Sequence, residues 1–231
     1  MPGPFALLIW LTGSALELSF IICCLVRKSF LQYIFLNLYL LFSLISSVAR
    51  FAALAQYGQE SNQYMYTYFY TDLILTLALF VALISLYVRV FSELKVKQLL
   101  YFVAMALLLG TALFSYAVVD RSSDRLLTGF AFELSQNLYF VGLILTYILW
   151  GAVLKLRETR TRVVQIVLSL GVYFSAYAAC YALANMSGTL QIAQTLGPAL
   201  GCLLPLSWTV TIYRHSEDSH LSTAHLVAVQ R

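Results

Sequence analysis

The spacing of polar residues limits this chain most. Seven apolar stretches run over 5–26, 31–55, 66–91, 99–119, 130–154, 163–184 and 190–213, with short polar joints between them. A helix of about 20 such residues crosses a hydrocarbon core about 30 Å thick. It also satisfies its own backbone hydrogen bonds, whereas an isolated strand in lipid leaves them unpaired. The expected fold class is therefore all-α: a polytopic membrane protein, built as a seven-transmembrane-helix bundle over 1–214 with a short tail at 215–231. Only 10% of the 231 residues are charged and 61% are hydrophobic, against about 25% charged in soluble domains. No separate soluble domain is expected.

The basic residues predict an orientation. Arg27, Lys28, Arg89, Lys95, Lys97, Lys155, Arg157, Arg160, Arg162, Arg214 and Arg231 lie in or beside alternate joints and the tail, whereas Arg50, Arg121 and Arg125 fall on the other side. The excess of Lys and Arg on cytoplasmic loops predicts an N-terminus outside and a cytoplasmic C-terminus. The expected location is the plasma (inner) membrane, with the protein multi-pass. The net charge of +4 then reports topology, and no nucleic-acid partner is expected. The opening "MPGPF" has neither a basic region nor a small-residue cleavage site, so the first stretch is expected to be retained.

Several membrane functions need residues placed differently. A retinal Schiff base needs a lysine within a span, and Lys28, Lys95, Lys97 and Lys155 all lie at span ends. Haem-carrying bundles use intramembrane histidines, whereas His215, His220 and His225 follow the last span. Those three recur every five residues and would not share one helix face, so no metal site is expected. Cys23, Cys24, Cys180 and Cys202 fall within spans, where free cysteine acts as a small apolar group. No catalytic or cofactor motif occurs, and the chain is expected to be non-enzymatic and without a cofactor. The Pro-Gln pairs of small two-repeat sugar transporters are absent as well.

Ionisable groups inside a span cost at least about 2.5 kcal/mol near the bilayer centre and call for an account. Four qualify: Glu17, Arg50, Asp72 and Glu133. One arginine near two carboxylates offsets part of the burial cost, so these four are candidates for an intramembrane charge cluster or ion pair. Within "YMYTYFYTD", Tyr64, Tyr68, Asp72 and then Thr76 are spaced by four and share a helix face, while Tyr66 and Tyr70 point elsewhere. Tyr173, Tyr177 and Tyr181 repeat that spacing in the sixth stretch, Gln136 and Asn137 follow Glu133, and Gln191 and Gln194 open the seventh. Tyr68, Asp72, Glu133, Gln136 and Tyr177 are thus candidate ligand-binding residues of an outer-half cavity. Polar groups of this kind also serve as glue between helices, at about 0.6 kcal/mol each. Asn185-Met186-Ser187 matches a glycosylation acceptor pattern but lies hard against the membrane. Gly197, Gly201, Pro198 and Pro205 predict a kinked, closely packed last helix.

At "YFYTDLILTLALFVALISLYVRVF" the chain resembles a group of uncharacterised bacterial seven-helix membrane proteins, in which the third span opens with an aromatic run, a threonine and an acid. Here those are Tyr68, Phe69, Tyr70, Thr71 and Asp72. The second acid frequent near the inner end of that span is replaced by Ser85. The resemblance implies the architecture, which is also similar to the seven-helix input modules of sensor kinases.

Three functions fit the sequence. One is a receptor-like sensor that binds a small ligand or lipid and signals to a separate membrane or cytoplasmic protein partner. Another is a proton- or cation-coupled transporter of small solutes. The third is an accessory or structural subunit of a membrane complex. The lipid bilayer itself is an expected partner of all three.

Overall fold

The structure, a computed structural model, describes residues 4–58, 61–91, 97–119, 126–155, 161–187 and 200–214. The described residues form seven α-helices: α1 (Pro4–Val26), α2 (Ile34–Tyr57), α3 (Asn62–Val90), α4 (Lys97–Val119), α5 (Leu126–Lys155), α6 (Thr161–Ser187) and α7 (Leu203–Arg214). Six of them, α1 to α6, are long and apolar enough to cross a membrane. The chain is thus an all-helical, multi-pass membrane protein. α7 has 12 residues and reaches about 18 Å at 1.5 Å per residue. Residues 188–199, with Gln191, Gln194, Gly197 and Pro198, lie outside the described residues, as do Arg121, Arg125 and the tail histidines. The side chains of Tyr181 and Asn185 also lie outside them.

Six helices close a ring in the order α1, α2, α3, α5, α6, α7 and back to α1. α4 docks outside it, against α5 and α3, and α3 touches α6 across the middle. Lipid explains the position of α4: Phe102, Leu113 and Phe114 stand exposed along it, which in water would form a sticky patch and here meets acyl chains. The core lies inside the ring. Trp208 of α7 is fully buried, packed near Phe20 of α1 and Tyr39 of α2. Its indole N–H donates to Ser169 of α6 at 2.8 Å, because a buried donor without a partner is expensive in a medium lacking water.

The helix joints are built from local chemistry. α2 stops at Gly58, whose φ of 78° suits glycine. Ser61 then caps α3, its hydroxyl accepting from the Tyr64 N–H at 3.1 Å. This tight joint makes α2 and α3 antiparallel neighbours, and it sets Arg50 of one opposite Tyr68 and Asp72 of the other. We call this the tyrosine end.

At the opposite, basic end, arginines tie helix termini together. The last carbonyls of a helix lack partners within it and carry partial negative charge. Arg27 donates to the Tyr213 carbonyl at 3.1 Å, and buried Arg162 donates to Ser29 Oγ at 3.2 Å and the Ile212 carbonyl at 3.5 Å. Arg89 donates to the Gln32 carbonyl at 2.9 Å and lies over the Tyr33 ring. In the sequence these basic residues report orientation; the buried position of Arg162 shows part of that end to be internal structure.

α5 and α6 cross closely because Gly142 has no side chain. A Cβ there would overlap the Phe174 ring, which the crossing cannot absorb without shifting a buried aromatic. We expect Gly142→Ala to lower the unfolding free energy in detergent by about 1–3 kcal/mol. Gly110→Ala, at an open position on α4, should be neutral or stabilise by up to about 1 kcal/mol. Chemical denaturation of the two variants side by side checks the contrast.

Candidate functional site

The third helix shows why the tyrosine end concentrates polar groups. Along one face, Tyr64 and Tyr68 are partly buried, the Asp72 side chain is 14% exposed and Thr76 is buried. On the other, Tyr66 and Tyr70 are exposed, 44% and 41%, as suits rings at a lipid–water boundary. The four-residue spacing therefore points Tyr68 and Asp72 into the ring of helices.

Arg50 of α2 meets that face. Its Nη2 lies 3.7 Å from Asp72 Oδ1, while Nε donates to Thr71 Oγ1 at 2.7 Å and Nη2 to the Tyr68 carbonyl at 3.3 Å. The guanidinium also lies over the Tyr68 ring, 4.4 Å from its centre, an arrangement favourable by about 0.5–2 kcal/mol. The planar fork is thus held by a hydroxyl, a carbonyl, a ring and a carboxylate at once, which a lysine has no geometry to match.

Behind the pair stand more tyrosines. Tyr177 of α6 stacks on Tyr139 of α5 at 4.9 Å and lies 4.5 Å from the Tyr173 ring. Tyr39 of α2 is buried in the same core as Tyr139 and Tyr173, and Tyr177 packs against it. Four helices, α2, α3, α5 and α6, therefore supply one arginine, one carboxylate and five tyrosines to a single cluster. Such a set fits a small amphipathic molecule, with flat apolar walls and a few fixed polar contacts.

The candidate residues divide accordingly. Tyr68, Asp72, Tyr177 and Arg50 come together here. Glu133 is half-buried on α5 and makes no hydrogen bond or ion pair among the described residues, so Arg50 pairs with one carboxylate rather than two. Gln136 keeps its Oε1 buried with no hydrogen-bond partner. Glu17 is buried elsewhere on α1, where it accepts from Ser43 of α2. Ser85, at the position of the second acid, turns its hydroxyl to the Ala82 carbonyl. Among the described residues no group of three or more His, Cys, Asp or Glu side chains could hold a metal ion.

Sequence reasoning missed Tyr39, Ser43 and Tyr139. A signal existed: Tyr39, Ser43, Ser46 and Arg50 recur at four, three and four residues, which is one stripe along α2. Three of the four are small or aromatic residues that a polarity scan passes over.

No protein-family model, curated protein or solved structure matches the chain.

The pair is expected to brace α2 against α3. Arg50→Lys keeps the charge but loses the Thr71 contact and most of the ring contact. Its unfolding free energy should fall by about 1–2 kcal/mol, measured by chemical denaturation in detergent; an unchanged value would mean that the fork geometry carries no stability.

Proposed function

We propose that this protein is a non-enzymatic, receptor-like sensor of the bacterial plasma membrane. A small ligand or lipid binds against Arg50, Asp72, Tyr68 and Tyr177 in the outer half, and a helix rearrangement passes to a separate protein at the basic, cytoplasmic face. The observation that carries this reading is the meeting of a cation and a carboxylate from adjacent helices inside walls of tyrosine. Charges at that depth are costly. Here they converge with aromatic rings from four helices, which is more than is needed to staple two helices together.

Seven crossings with the N-terminus outside belong to the same proposal. α6 begins at the basic end, beside Arg162, and runs toward the tyrosine end. The final residues of α7 meet Arg27 and Arg162. α6 thus ends toward the tyrosine end and α7 ends at the basic end, which supports a seventh crossing. Among the described residues Arg27, Lys28, Arg89, Lys97, Lys155, Arg162 and Arg214 occupy one end of the helices and Arg50 the other, which supports a cytoplasmic basic end. A response then needs a ligand that binds one arrangement of α2 and α3 better than another.

A second reading, proton- or cation-coupled transport, is favoured by one observation: Glu17 lies buried half-way along α1.

Orientation is testable with a membrane-impermeant thiol reagent on intact cells. Gly58→Cys, at the joint of the tyrosine end, should label without permeabilisation, and Lys155→Cys only after it; the reverse pattern would invert the topology. Ligand contact is tested on protein in lipid nanodiscs. Mass spectrometry of organic extracts should find a molecule enriched with the unmodified protein and reduced about tenfold or more in Asp72→Asn, equivalent to about 1.4 kcal/mol. Equal retention by a folded variant would remove the pair as the ligand contact.

A further inference from the structure

Among the described residues, Glu17 is the one buried carboxylate that the sensor reading leaves unused. It sits nine residues before the end of α1, about 14 Å along the helix axis, with more than that on the other side. One carboxyl oxygen accepts from Ser43 Oγ, and the other, Oε2, is buried with no hydrogen-bond partner. An ionised carboxylate offers about four acceptor sites. With a single donor filling one of them, the charged form would be desolvated and uncompensated, which a protein avoids by keeping the group neutral. The neutral acid matches its surroundings better, since it places a hydroxyl where a bare anionic oxygen would stand.

The groups facing Glu17 are few. From α2 come Ser43 and, one turn away, Tyr39. Just before α7 comes the Cys202 thiol, whose sulfur stands 3.3 Å from where a Cβ on Gly13 would be, one turn along α1. The cation on this side of α2 is Arg50, seven residues beyond Ser43 and so about 10 Å further along the axis. It is already engaged by Thr71, Tyr68 and Asp72.

Tyr39, one turn from Ser43 on α2, belongs with Tyr139 and Tyr173 to the buried core, against which Tyr177 packs.

We propose that Glu17 is a protonation site inside the membrane, neutral while its free oxygen is buried without a partner. The step is a simple proton exchange, in which the Glu17 O–H bond breaks as a water molecule reaching that oxygen accepts its proton, with no change of oxidation state. The ligand of this site is the proton itself. The proposal is independent of ligand binding at Arg50 and Asp72: it would stand if that reading failed.

Infrared spectroscopy of the full chain in lipid bilayers tests it. At neutral pH the protein should show the C=O stretch of a protonated carboxyl group that shifts on 13C-glutamate labelling. Glu17→Gln, a neutral near-isostere, should abolish it, while Asp72→Asn should leave it in place. Absence of the band from the labelled, unmodified protein, or its survival in Glu17→Gln, would overturn the protonation site.

Discussion

Within a bilayer there is no solvent to take a stray hydrogen bond, so every polar group must find its partner in the protein or stay neutral. That constraint organises this bundle more than any single apolar contact, because burying leucine against leucine gains little when the alternative is a lipid tail of the same polarity. The side-chain contacts between helices follow it closely. The Tyr87 hydroxyl of α3 donates to the Leu145 carbonyl of α5, and Asn137 of α5 donates to Ser115 of α4. Trp208 reaches Ser169, and Thr211 reaches Gln165, so α7 is held to α6 by two such bonds. α4, the helix outside the ring, shows Asn137–Ser115 as its hydrogen-bonded side-chain link to α5 among the described residues; Leu107, Leu108 and Ala112 pack toward α3 and α5, and its outer face is left to lipid.

The same constraint explains which parts of the molecule were legible in the chain. Long apolar runs must be helices, so the all-helical, multi-pass class follows from length and composition alone. The inward face of α3 follows too, because a four-residue period carried Tyr64, Tyr68, Asp72 and Thr76 together. Partners across helices were another matter. Nothing in the spacing of one helix says that Arg50 would meet Asp72 while Glu133 stays apart, or that Arg162, counted among the loop charges, would turn inward to the end of α7. Those facts depend on helix order around the ring, and that order skips α4. Ser43 is the clearest case: a lone serine in an apolar run carries no signal until α1 brings Glu17 against it.

The two ends of the bundle are held in different ways. At the basic end, arginines bind backbone carbonyls of neighbouring segments. A carbonyl has no charge to lose, so neither a proton nor an arriving ion neutralises these links. At the tyrosine end Arg50 shares itself among a hydroxyl, a carbonyl, a ring and a carboxylate. Each of those is weaker alone, and an anionic or cationic group arriving from outside competes with one without breaking the others. Adjustment is therefore easier where α2 meets α3 than where the basic termini are clamped.

Glu17 adds a second point of adjustment, and its position decides what it would move. It touches α2 through Ser43 and faces Cys202, the residue before α7. If the proton leaves, the anion has one donor and no nearby cation, so the stable response is for α1 to shift relative to α2 or α7 until a polar partner or water arrives. α7 is the helix whose terminal carbonyls Arg27 and Arg162 hold at the basic face. Loss of a proton in the middle of the membrane would thus be felt at the basic end, and with no need for the Arg50–Asp72 pair to break first. A charge change at either carboxylate acts on α2 from a different side, which makes α2 the element through which the two inputs meet.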